Sequence, residues 1–428
     1  MAKPASQIQA HDSPRYDNVF IMFGPFHIMM AYFSCIGFFL DGSGGEIMML
    51  DAEVLASGSL NGFISGKHYN RNKRLHPLLA TAFETLHFTK FIVEYGPIPD
   101  SVIAGLANVI EDVTPRDMED VESADEMLHF LEEYEAFSQL TREGKHGATA
   151  RYWMIYIDLI SVYFLFSRAC RTNDVDLFIY SLSLMCPVFF SANKQNYARY
   201  MVRFILNLLN MDTTHPGVRQ MLEKGALTIR RSSKPFSRLP VDMTLEQTIN
   251  ADAASRLTGI SAFQQSDAAK NRWTITRTAR SAVVGELLNM AGLKKTSEDV
   301  HKELRPSRVR RDNEDLKKLV EGIEASHNPF AENESNNLYC ITTGNAVSET
   351  VKNDLLNFKE HGERWCSDFR NECLQDPLRF ERSIRRKKVM NFASEAVSVK
   401  LKSVEMKVVE IKCTRDLFGH LLYMATFL

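Results

Sequence analysis

No Cys-x-x-Cys pair and no Gly-x-Ser-x-Gly turn occurs anywhere in the 428 residues. The first absence removes the usual spacing of a structural zinc site or a dithiol redox centre, and the second removes the serine nucleophile elbow of α/β-hydrolases. Seven cysteines, Cys35, Cys170, Cys186, Cys340, Cys366, Cys373 and Cys413, are scattered and odd in number, so reduced thiols in a cytoplasmic or nuclear protein are expected. The formal charge is only −2, which denies the molecule a general pull on nucleic acid and leaves any such binding to local patches. Met1 to Asp17 contains no apolar run and does not read as a secretory signal.

What is present suits a large folded interior. Hydrophobic residues make up 45% of the chain, aromatics 10% and charged residues 24%, with a mean hydropathy of −0.21. A chain of this length is expected to fold as two or three lobes. The run Val19 to Leu40 has the length of a membrane span, but Gly24-Pro25 interrupts it and favours a buried strand over 18–23 followed by a helix over 26–40. The loop Gly42-Ser43-Gly44-Gly45 lacks the lysine and spacing of a phosphate-binding loop and reads as a helix stop.

Further along, helical patterning covers 46–95, with the basic stretch Lys67, Tyr69, Arg71, Lys73 and Arg74 as a polar loop. Residues 111–133 are acidic. Trp153 to Phe166 and Leu177 to Phe190 are apolar almost all round but short, and Asp158 sits in the first, so buried core helices are favoured over membrane spans. A helix is predicted over 196–209, a strand over 225–231, and a helix start after Pro240 with Asp242 as its cap. Residues 268–293 read as a long helix, 294–337 as a charged linker with one solvated helix, and 347–369 and 377–392 as two helices. The apolar end, Leu421 to Leu428, suggests a protein partner or a further stretch of chain that covers it.

Several segments taken together resemble uncharacterised proteins of animal mobile elements. They are Phe23-Gly24-Pro25-Phe26-His27, Gly37 to Gly44, Asn196 to Tyr200, His215-Pro216-Gly217-Val218, and Phe236-Ser237 leading to Asp242 through Asn250. The resemblance runs over roughly residues 1 to 290 and implies an RNase H-like transposase core, mainly helical with a small β component, split by a large helical insertion. On that reading, residues 1–95 hold the first strand and helix of the core, 96–213 the insertion, 214–293 the return to the core, and 294–428 a charged linker and helical C-terminal region.

Transposases of that class place paired Mg2+ ions with two aspartates and a glutamate to cut and join DNA. The resemblance assigns Glu246 to the third acidic ligand and puts His27 where a second ligand lies. Related sequences carry a strand ending in aspartate just before the stretch matched by Met1 to Ala5, so the expectation is a degenerate, truncated transposase that no longer catalyses. Each sharp role has a plainer one beside it. Glu246 in the first turns of a helix also serves as a solvated residue that complements the helix dipole, and His27 also serves as a helix cap or core hydrogen-bonding group. The stretch from Lys67 to Arg74, and Arg385, Arg386, Lys387 and Lys388, fit DNA phosphate contacts or simple solvated surface. The alternative to the transposase reading is a non-catalytic helical scaffold that binds protein or nucleic acid.

Overall fold

A computed structural model describes residues 2–111, 125–230, 232–246, scattered positions between 266 and 290, and then 305–331, 335–384, 389–395, 397–402 and 408–413. Among the described residues the fold is mainly helical. In chain order the helices are α1 (Ala2–His11), α2 (Pro25–Leu40), α3 (Gly45–Asp51), α4 (Leu60–Ile64), α5 (Tyr69–Tyr95), α6 (Asp100–Glu111), α7 (Asp125–Arg142), α8 (Ala148–Thr172), α9 (Val175–Ser191), α10 (Gln195–Leu209), α11 (Met211–Thr214) and α12 (Val218–Met221). A hairpin of β1 (Thr228–Arg230) and β2 (Arg238–Pro240) leads into α13 (Val241–Leu245). The rest comprises α14 (Pro306–Ala325), α15 (Glu349–Leu356), α16 (Phe358–Gln375) and a second antiparallel hairpin of β3 (Val397–Lys402) and β4 (Val408–Cys413).

The chain divides into two compact units whose segments alternate in sequence. One contains Met1–Met29, Leu165–Tyr180 and Phe204–Val309, and the other Met30–Phe164, Ser181–Arg203 and Arg310–Leu428.

The second unit is held by an aromatic interior. Phe83 stacks on Trp153 with ring centroids 3.7 Å apart, and Phe39 stacks on Tyr152 at 4.5 Å, while the Tyr152 hydroxyl donates to the Phe39 carbonyl at 2.6 Å. Rings of this size dominate core energetics, and the hydroxyl finds an acceptor because burying it unpaired is costly. His76 lies fully buried between Phe33 and Phe63, with Nδ1 2.9 Å from the Tyr156 hydroxyl. Burial lowers its pKa to about 3, so the ring is a neutral core group at pH 7.

Helix α8 is long and apolar enough to cross a bilayer, and half of its apolar window is buried inside the protein. The second apolar stretch, α2 with α3, is bent by 94° at the glycine-rich turn after Leu40. There Gly42 and Gly44 take positive φ values of 85° and 93°, a conformation that costs glycine nothing.

Several sequence expectations need correction. Residues 18–23 form no strand. The segment is irregular and only partly buried, with Val19 47% exposed, and among the described residues no strand offers its backbone a ladder. The basic stretch at 67–74 is not a loop, since α5 starts at Tyr69 and carries Arg71, Lys73 and Arg74 in its first turns. Helix α14 is not simply solvated. Asp315, Leu319 and Ile323 recur at a spacing of four and bury one face. Residues 377–384 hold only a short 3-10 turn at Arg379–Glu381 in place of a helix, and the β3–β4 hairpin was not anticipated. The apolar end at 421–428 and residues 385–388 lie outside the described residues.

Candidate functional site

Gly24 closes the irregular segment and Pro25 opens α2. Proline suits the first helical position because it has no N–H to leave unpaired there, but glycine brings no side-chain oxygen to cap the next amides. That oxygen comes from Asp242 in α13. Its Oδ1 accepts from the Phe26 amide at 3.1 Å and its Oδ2 from the His27 amide at 3.1 Å. A carboxylate at this position satisfies two orphan donors and faces the positive end of the helix dipole. Gly24 makes room for it, since a Cβ there would stand 2.1 Å from Asp242 Oδ2.

The first unit delivers Asp242 by a short chain of supports. Asn173, just past the end of α8, takes the left-handed conformation with φ of 65°, and its Nδ2 donates to the Leu222 and Glu223 carbonyls at 2.9 and 3.1 Å. Its Oδ1 accepts from Thr228 Oγ1 at 2.7 Å, which fixes the start of β1. Arg171 Nε donates to the Phe236 carbonyl at 3.0 Å and holds the turn between the strands. The pairing of Thr228 with Pro240 then ends the hairpin where α13 begins, and Val241 N bonds back to the Leu227 carbonyl at 3.3 Å.

The two residues singled out from the sequence meet at this point. His27 Nδ1 lies 2.9 Å from Asp242 Oδ2, and His27 Nε2 lies 3.4 Å from Glu246 Oε1, so the imidazole sits between two carboxylates. Asp242 and Glu246 are four residues apart and share a helical face. The cap assigned to Asp242 from the sequence belonged to its own helix, whereas the residue caps α2.

The His27 pKa is raised above 6.5, first by the hydrogen bond to Asp242. Burial opposes the rise, and the charges of Asp242 and Glu246 add to it. A raised folded value means the stabilisation is fully present below about pH 6.5 and is lost as pH rises through the folded pKa. An NMR titration of the imidazole should therefore give a midpoint above 6.5 that falls toward that value in Asp242→Asn. An unchanged midpoint in the variant would remove Asp242 as the cause.

The donor set does not fit a Mg2+ site. Mg2+ demands near-octahedral oxygen ligation. Both Asp242 oxygens already accept backbone amides, His27 Nδ1 is turned to the same carboxylate, and a nitrogen ligand is a poor match for this ion. Among the described residues, no group of three or more His, Cys, Asp or Glu side chains is arranged to hold a metal.

The basic residues belong to the second unit. Lys67 and Arg71 are exposed, with Arg71 Nη1 3.1 Å from His68 Nδ1, and Tyr69 is half-buried, 6.1 Å from the Phe33 ring. Lys73 is half-buried. Arg74 turns inward: its guanidinium binds Asp312 at 2.7 Å and also Asp315, both on α14. This arginine acts as a clamp between α5 and α14. Arg385, Arg386, Lys387 and Lys388 lie outside the described residues.

Neither the curated proteins nor the solved structures contain a significant match to the chain. The model of a family described as a domain of unknown function (DUF8702) matches residues 3–425, nearly the full length, and the chain belongs to that family.

Proposed function

We propose that this chain is a non-catalytic helical scaffold, derived from an RNase H-like transposase core of a mobile element, that works by binding a protein partner. The segment resemblance supports the descent, as does the return of position 246 to the neighbourhood of His27 across the intervening helices. The observation that carries the loss of chemistry is the engagement of Asp242. Asp242 already accepts the Phe26 and His27 amides and lies against the His27 ring, which commits most of its acceptor capacity to holding the start of α2 and leaves little of it for a cation. The His27–Asp242–Glu246 cluster is then a latch that fastens the start of α2 to the hairpin helix.

A protein partner suits the surface better than DNA. The net charge is −2, and Arg74 is consumed by Asp312 and Asp315. Meanwhile Val93 near the end of α5, Ile103 on α6, and Leu128 and Leu131 on α7 expose apolar side chains in one corner of the second unit, where these helices share the cluster of Phe91, Val102, Met127 and Phe130.

Calorimetric titration with Mn2+, run beside a plasmid-nicking assay, tests the reading. The expected result is no saturable metal binding that depends on Glu246, and no nicking by either the wild type or Glu246→Gln. Binding of Mn2+ that disappears in Glu246→Gln would restore the metal-dependent nuclease reading. Tight, strongly salt-dependent retention of duplex DNA would replace the protein partner with nucleic acid.

A further inference from the structure

Helices α9 and α16 run against each other in opposite directions, and three contacts fix their register. Ser191 Oγ donates to the Phe358 carbonyl at 2.5 Å. One turn back on α9, Gly362 meets Pro187 so closely that a Cβ on the glycine would stand 2.2 Å from the Pro187 carbonyl oxygen and 2.4 Å from Ser191 Oγ. The next pair along the same seam is Cys186 and Cys366, whose sulfurs lie 3.7 Å apart although 180 residues separate them in sequence. Phe190 and Phe369 pack beside it with ring centroids 5.7 Å apart.

We propose that Cys186 and Cys366 form a peroxide-driven disulfide, a covalent modification site that staples α9 to α16. Closing the sulfurs from 3.7 Å to the bond length of about 2.0 Å is a side-chain movement, because the close approach at Gly362 already holds the two backbones together. Chemistry and access assign the order of events. Cys366 is partly exposed, whereas Cys186 is buried. The hydrogen bond from Cys186, helped by the charge of Arg370, lowers the Cys366 pKa, while Cys186 itself is pushed well up. Cys366 is therefore the attacking thiolate.

The step balances in two stages. The Cys366 thiolate attacks one oxygen of hydrogen peroxide, giving a sulfenic acid and, with one proton, water. The Cys186 sulfur then displaces the hydroxyl from the Cys366 sulfur, and its proton leaves with that hydroxyl as a second water. Two thiols are oxidised and one peroxide is reduced. Cys373 lies on the same helix with its pKa pushed up to about 11, chiefly by burial, and serves as an internal control.

The experiment is a titration of the reduced full chain with hydrogen peroxide, followed by alkylation and non-reducing peptide mass spectrometry. The proposal expects the number of alkylatable thiols to fall from seven to five. It also expects one cross-linked peptide pair carrying residues 186 and 366, recovery of both thiols with dithiothreitol, and no cross-link at 186 in Cys366→Ser. Conversion of Cys366 to sulfinic acid with Cys186 still alkylatable would overturn it. So would a cross-link joining any other pair, or no thiol loss at all. If Cys366→Ser does not fold, the wild-type map decides alone.

Discussion

Replacing Arg74 with methionine is expected to lower the unfolding free energy by about 3 kcal/mol, the lower end of the range for removing one partner of a buried ion pair. Its side chain is 13% exposed and faces Asp312 and Asp315, of which Asp315 is 12% exposed at the side chain. Without the guanidinium, two carboxylates are left close together in a partly dry seam between α5 and α14, and Arg311 reaches Asp315 only at 4.0 Å from a largely exposed position. Lysine should not rescue, because one ammonium cannot reproduce the fork that spans two acceptors. The double change Arg74→Met with Asp315→Leu should recover part of the loss by removing the stranded charge. Urea titration followed by circular dichroism measures all three variants. Lys67→Ala and Arg71→Ala, on exposed positions, should stay within about 0.5 kcal/mol of wild type. If Arg74→Met were as mild as those two, the clamp would carry no weight and the residue would again be open to a phosphate role.

Asp242→Ala is expected to cost about 2 kcal/mol. Loss of a helix cap typically costs about 1 kcal/mol, and the cap here is a charged acceptor serving two amides and an imidazole with a side chain only 14% exposed. Hydrogen exchange at the amides of residues 26 and 27 should speed up more than at Ile28, whose amide bonds to the Gly24 carbonyl at 3.1 Å. Asp242→Asn should fall between the two, since an amide oxygen still accepts one bond but the charge opposite the helix dipole is gone. A variant as stable as wild type, with unchanged exchange at 26 and 27, would refute the cap.

Legibility in the sequence followed the local physics. Helix α2 ran from Pro25 to Leu40, within a residue of its expected bounds, because proline and the Asp41-Gly42 stop are local signals, and α10 followed its apolar spacing equally closely. The apolar segments inside α8 and α9 bury Trp153, Tyr156, Phe166, Phe178 and Phe189, but the shortness expected of the first does not hold, since α8 runs on to 25 residues. The segment 18–23 misled because an apolar run says nothing about whether a partner strand exists. Helix α14 misled in the opposite direction, since its dense charge hid the four-residue recurrence of Asp315, Leu319 and Ile323. At the site, His27 and Glu246 were singled out by the segment resemblance and not by any local pattern of their own. What joined them was Asp242, whose role depends on a contact across 216 positions that no local pattern encodes.

That contact also sets a timetable. A nascent chain exposes the amides of Phe26 and His27 early, yet their acceptor is made 216 residues after the first of them, which at ordinary synthesis speeds is a wait of roughly ten to forty seconds. Until then the opening turn of α2 is available to any other acceptor in reach, including those on a chaperone or a neighbouring nascent chain. Completion of this helix is therefore tied to the arrival of the β1–β2 hairpin, and a polypeptide halted before residue 240 carries an unfinished beginning.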